Sequence, residues 1–117
     1  KGILGTSSFD APGTARAIDE LGLKGKVFTA GTGMPAANAQ ILKDGSVSTL
    51  TLWDPANAGY AMASLATKIL NGETIEDGVN LGVEGYENMH FSSGSTKVLE
   101  GTGWLKITKD NVDSLGF

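Results

Sequence analysis

Residues 49–55 read Thr49-Leu50-Thr51-Leu52-Trp53-Asp54-Pro55. Side chains alternate across a strand with a period of two, which puts Thr49, Thr51 and Trp53 on one face and Leu50 and Leu52 on the other. Asp54 then falls where a helix takes its N-cap, and Pro55 fits the first helical position. An aromatic ring and a carboxylate therefore leave together from the carboxyl end of a strand. In open α/β sheets that edge is where ligands bind. The alternative reading is a capped helix with a core tryptophan.

Outward from this corner the pattern repeats. Ile3-Leu4-Gly5-Thr6 is a short apolar run that turns polar at Thr6-Ser7-Ser8. Asp10-Ala11-Pro12 opens a helix with Asp10 as its expected cap, and Ala11, Ala15 and Ile18, with Leu21 or Leu23, form an apolar stripe. Residues 26–30 predict a second strand, Gly31-Thr32-Gly33 a tight loop, and Pro35 a second helix with Ala37, Ile41 and Met34 facing inward. Residues 47–53 are the third strand and residues 55–70 the third helix, closed by Asn71-Gly72. Strand and helix alternate with short connections. That order predicts an α/β fold: a parallel sheet with flanking helices, built from right-handed βαβ units.

The third helix is rich in small residues, among them Ala58, Gly59, Ala61 and Ala63. Gly59 costs about 1 kcal/mol relative to Ala within a helix, which predicts a close approach there. Composition shifts near residues 71–80, and from Gly78 on segments are short and glycines frequent. Lys97-Val98-Leu99 and residues 104–107 predict strands, paired as a hairpin across Gly101-Thr102-Gly103. Residues 109–115 predict a final helical turn.

With 117 residues, 40% of them hydrophobic, the chain is at most one domain's worth. Nine Lys and Arg against 13 Asp and Glu give a net charge of -4, which argues against a nucleic-acid partner. Cysteine is absent, which removes disulfide and thiolate chemistry and suits an exported bacterial protein. No run approaches the roughly 18 apolar residues of a membrane span. The opening Lys1-Gly2-Ile3-Leu4 reads like the middle of a strand, so the chain is expected to be a fragment.

Three strand ends carry polar groups: Thr6-Ser7-Ser8, Gly31-Thr32-Gly33 and Trp53-Asp54. A parallel sheet brings all three to one edge. Hydroxyls, backbone amides, a carboxylate and an aromatic plane together suit a neutral polyol. Catalysis is poorly supported. The single histidine, His90, lies in the irregular part, and no nucleophile-elbow pattern surrounds Ser7 or Ser8, although a small hydrolase using either serine remains a third reading. Metal binding lacks ligands, and no dinucleotide or Walker glycine pattern is present, so no cofactor is expected.

Several motifs together resemble the C-terminal part of periplasmic sugar-binding proteins of bacterial ABC importers, of the type I fold and the autoinducer-2-binding and rhamnose-binding branch. They are Thr29-Ala30-Gly31-Thr32-Gly33-Met34-Pro35, Lys43-Asp44-Gly45-Ser46-Val47, Leu52-Trp53-Asp54-Pro55 with Gly59-Tyr60, and the ending Ile107-Thr108-Lys109-Asp110-Asn111-Val112-Asp113. The resemblance covers essentially the whole chain. It implies two lobes closing on a ligand in a cleft: residues 1–54 belong to one lobe, residues 55–82 cross to the other, and residues 83–117 return. It implies that Thr6, Ser7, Ser8 and Phe9 offer backbone groups to the ligand, that Trp53 stacks or packs near it, and that Asp54 lies at the crossing. Thr32 and Met34 lie on the loop where ribose-binding relatives carry an acidic residue. The implied partners are a small carbohydrate-like ligand and a membrane permease. The implied location is the periplasm, or a lipid anchor outside a Gram-positive cell. Because the helix over residues 55–70 would then pack on a lobe this chain lacks, the chain is expected to be a homodimer, swapped or unswapped. The ligand-sensing domain of a LacI-type transcription regulator shares this fold and is the alternative.

Overall fold

The computed structural model describes residues 1–117. The elements are β1 (Gly2–Leu4), α1 (Asp10–Glu20), β2 (Phe28–Thr32), α2 (Pro35–Lys43), β3 (Thr49–Trp53), α3 (Pro55–Leu70), β4 (His90–Phe91), β5 (Leu99–Glu100), β6 (Trp104–Ile107) and a 3-10 turn at Val112–Ser114. The chain divides into two compact units, one made of Lys1–Leu52 with Leu105–Phe117 and the other of Trp53–Trp104. The compositional shift at residues 71–80 lies inside the second.

The first unit is the expected α/β arrangement. Its sheet has the order β1-β2-β3-β6, with β1 parallel to β2 and β2 parallel to β3. Leu50 and Leu52 are buried and Thr49 and Thr51 half-buried, as the alternation requires. The core gathers Ala11, Ala15, Leu42, Val47, Leu50, Leu52, Ile107 and Val112. The Ala11, Ala15 and Ile18 stripe of α1 is buried, while Leu21 is exposed. The chain's ending is sewn on by polar links. Asn111 Oδ1 accepts from Thr108 N at 2.8 Å, and Asn111 Nδ2 donates to the Lys106 carbonyl at 2.9 Å. Lys43 pairs with Asp113 at 2.6 Å, and Ala36 N donates to the Phe117 carbonyl at 3.2 Å.

Several expectations need correction. Gly31 and Thr32 are not a loop but the end of β2, paired with Leu50 and Thr51 of β3. Glycine there reflects crowding rather than a turn: a Cβ on Gly31 would meet the Gly5 carbonyl oxygen at 3.1 Å and the Ala11 methyl at 3.3 Å. In α2 the buried positions are Pro35, Asn38 and Leu42, while Ala37 and Met34 are exposed. Asn38 tolerates burial because its Nδ2 donates to the Met34 carbonyl at 2.9 Å. Asp10 is not the cap of α1. The cap position is Phe9, and Asp10 is the first helical residue.

In the second unit α3 spans Pro55–Leu70 as read from the sequence, capped by Asp54 and ended at Asn71. Ala61 packs with Leu81 and Met89, joined by Leu65, Val79, Val83, Tyr86 and Leu99. Leu65 is thus covered by its own chain. Nothing approaches Gly59, so the close contact expected there is absent and the helix packs through Ala61 instead. The expected hairpin across residues 101–103 does not form. β5 pairs antiparallel with β4, and β6 joins the other sheet beside β3. The glycines of that stretch allow close packing instead: a Cβ on Gly103 would sit 2.8 Å from the Tyr86 ring.

Candidate functional site

The site follows from strand direction. Because β1, β2 and β3 are parallel, residues 6–9 and Gly33-Met34 follow the carboxyl ends of β1 and β2, and Trp53 is the carboxyl-terminal residue of β3 with Asp54 next. A parallel ladder leaves strand-end groups on one edge of the sheet.

Residues 6–9 form a closed loop held by Asp10. Its Oδ2 accepts from the backbone N–H of Thr6 and of Ser7, both at 2.9 Å. Ser7 Oγ accepts from Phe9 N at 3.3 Å, and the Ser7 carbonyl accepts from Asp10 N at 3.1 Å. The backbone donors of Thr6, Ser7 and Phe9 are therefore engaged inside the loop. What the loop presents outward is side chains: Thr6, Ser7, Ser8 and Phe9 are all exposed. A hydroxyl that accepts one bond keeps its own O–H to donate. Thr32 ends β2 half-buried, opposite Thr51, and Met34 caps α2 with its side chain exposed.

The second unit begins at the corner itself. Asp54 Oδ1 accepts from Ala56 N at 2.7 Å and Asn57 N at 3.4 Å, which satisfies two orphan donors of α3 and fixes the carboxylate. Trp53, just before it, is 42% exposed. Its ring meets that of Trp104 edge to face, with centroids 5.3 Å apart and planes at 89°. Sequence reasoning placed Trp104 in a strand and gave it no role. The available signal was its phase: Trp104 and Lys106 point outward from β6, while Ile107 is buried and Leu105 half-buried.

His90 is held within the second unit. Its Nδ1 donates to Asp77 Oδ2 at 3.0 Å and its Nε2 accepts from Asn88 Nδ2 at 2.8 Å. Its hydrogen bond and that from Phe91 N hold the Asp77 carboxyl below the ordinary aspartate value. Ser7 and Ser8 belong to the other unit. Asp44 is likewise lowered, chiefly by the Ser46 backbone N–H, and serves the turn after α2. None of the described grooves is lined by residues 6–9, Gly33, Met34, Trp53 or Asp54. One, of about 240 Å³, runs between α3 and Leu81, Tyr86, Met89 and Leu99. Another, of about 310 Å³, lies along β1 and β2.

An open, largely parallel sheet with helices between its strands defines an α/β protein, a class in which ligands bind outside the carboxyl ends of the strands. The chain belongs to the periplasmic binding protein domain family, whose model matches residues 1–74. Comparison with curated proteins gives no match. Among solved structures, the chain is similar to a sugar ABC transporter from Actinomyces odontolyticus ATCC 17982, with 28% identity and a TM-score of 0.78. All of this chain is covered there, and 37% of that one. The fold is also that of LsrB from Clostridium saccharobutylicum, solved in complex with AI-2, with 22% identity, a TM-score of 0.71, all of this chain covered and 40% of that one. The chain thus spans well under half the length of either protein.

Proposed function

We propose that the chain is part of the non-catalytic solute-binding component of an ABC importer, acting outside the cytoplasm and delivering a small carbohydrate or AI-2-like ligand to a membrane permease. The observation that carries this is the corner Trp53-Asp54 at the end of a parallel strand, in a chain of the periplasmic binding protein family. The likeness to a sugar transporter protein supports a carbohydrate as the ligand class. The ligand lies in a cleft between two lobes. Residues 1–54 belong to one lobe, residues 55–82 cross to the other, and residues 83–117 return. Thr6, Ser7, Ser8, Phe9, Thr32 and Met34 contribute from one lobe and Trp53 and Asp54 from the crossing. Asp54 Oδ1 is occupied by the cap, which leaves Oδ2 as the acceptor for a ligand hydroxyl.

The test is titration of the intact gene product with D-ribose, L-rhamnose and AI-2, followed by tryptophan emission. A saturable response to at least one is expected. Silence toward all three overturns the carbohydrate reading. The codons upstream should encode a secretory signal; a helix-turn-helix there would replace the importer with a transcription regulator.

The isolated chain should also self-associate. Tyr60, Met62, Ile69 and Leu70 of α3 are exposed, Leu70 by 87%. Apolar area in water costs about 25 cal/mol per Å², and pairing with a second copy recovers it. Light scattering across a dilution series should give twice the 12.1 kDa of the chain. A monomer throughout would discard the dimer.

A further inference from the structure

The loop after β1 closes on an anion that the chain itself supplies. Thr6 and Ser7 turn two successive backbone N–H groups onto one oxygen, Asp10 Oδ2, at 2.9 Å each. Successive amides converging at the start of a helix are an arrangement that captures phosphate and carboxylate groups. We propose that Asp10 selects ligands by charge. Its carboxylate takes the place that an anionic group of a ligand would occupy, so the site admits neutral sugars and turns away their phosphate esters and acids. This rests on the solute-binding reading above and narrows its ligand class.

The carboxylate is fixed from several sides. Asp10 is the first residue of α1, and Ala11 beside it is fully buried. Gly5 is tied to β2 through its N–H, which donates to the Ala30 carbonyl at 2.9 Å, and a Cβ on Gly5 would collide with the Cβ of Asp10. Asp10 N donates to the Ser7 carbonyl at 3.1 Å, which closes the loop on itself. The charge is therefore in position before any ligand arrives.

Two effects then act against an anionic ligand. The amides that would receive it are already bonded, so it loses water without gaining donors. It also faces a like charge, and juxtaposed like charges are a means of rejecting a wrong partner. A sugar hydroxyl meets neither obstacle, because it can donate to a carboxylate oxygen. The start of α2 in the same unit has no acidic residue, and its Ala36 N–H goes to the Phe117 carbonyl at 3.2 Å. Of the helix starts after β1 and β2, that of α1 is the one that carries a carboxylate.

The experiment titrates the intact gene product by calorimetry with D-ribose, L-rhamnose and AI-2, each beside its anionic counterpart: D-ribose 5-phosphate, L-rhamnonate and the phosphate ester of AI-2. In the wild type the counterpart of whichever sugar binds should bind at least about tenfold more weakly than that sugar. Asp10→Asn keeps an oxygen for both amides and removes the charge. It should hold the sugar's affinity within about threefold and narrow the gap to the counterpart about tenfold. Asp10→Ala frees the amides, and its Thr6 and Ser7 amide resonances should shift saturably with inorganic phosphate while those of the wild type stay in place. Should Asp10→Ala fail to fold, Asp10→Asn still decides. A counterpart that binds the wild type as tightly as its sugar, a gap that Asp10→Asn leaves unchanged, or amides in a folded Asp10→Ala that ignore phosphate would each overturn the proposal alone. No binding of any sugar by the wild type would overturn the carbohydrate reading and the charge selection with it.

Discussion

Leu50→Ala is expected to remove about 2–5 kcal/mol of stability, the range for truncating a buried leucine to a methyl group. Leu50 has no exposed surface and sits in β3, between β2 and β6, among Ala11, Leu42, Val47 and Ile107. Its neighbours come from α1, α2, the turn before β3 and β6, so no single element can move in to refill the space. Cavities in such places are the expensive ones, because the walls belong to separately anchored elements. A protein of this size has a total stability on the order of 10 kcal/mol, so the loss is a large fraction of it. Urea unfolding followed by circular dichroism should show a lower midpoint with an unchanged slope. Leu21→Ala is the control: Leu21 is 71% exposed at the end of α1, and its loss should stay within about 0.5 kcal/mol. A Leu50 variant as stable as the Leu21 variant would mean that the first unit is not built around this residue.

Much of that unit can be read from residue order, because local rules and tertiary packing agree there. The Thr-Leu alternation of β3, the Asp54 cap, the Pro55 start and the Asn71 end of α3 each follow from a local preference that the fold does not contest. The failures occur where a distant partner decides. Gly31 reads as a loop residue by propensity and is strand because β3 pairs with it and the Gly5 backbone lies too close for a side chain. Ala37 and Met34 read as inward and are exposed, while Asn38 is buried with the Met34 carbonyl as its acceptor. The hairpin across residues 101–103 fails because β5 and β6 find partners in different sheets, which no local pattern announces.

The same division runs through the candidate site. Trp53-Asp54 is legible because a cap, a proline and a strand phase coincide within three residues. Trp104 is not, because its meaning comes from Trp53, 51 positions earlier in the chain and beside it in space. The role of Asp10 was half legible. A carboxylate at a helix start was expected, but it turns back to hold the amides of Thr6 and Ser7 rather than capping α1. That choice decides what residues 6–9 can offer, since hydroxyls and an aromatic ring are presented where free amides were expected.

Trp53→Ala, made in the intact gene product, is expected to weaken binding of a responding sugar by about 1–3 kcal/mol, the scale of a lost buried aromatic contact. Folding should survive. The ring is already 42% exposed, and its chief described aromatic contact is the edge-to-face pairing with Trp104, worth about 0.5–1.5 kcal/mol. The backbone around it is fixed independently, by Leu52 in the core and by Asp54 on the amides of Ala56 and Asn57. The substitution therefore removes a wall without moving what holds it. Calorimetric titration measures the affinity and urea unfolding the stability, and the two must be compared in the same variant. A large affinity loss with a stability loss of about 1 kcal/mol is the signature of a ligand wall. If the variant unfolds while the fraction that stays folded binds the sugar normally, Trp53 is a structural residue. The corner at the end of β3 is then a capped helix with a packed tryptophan, and the ligand must be sought elsewhere on the protein.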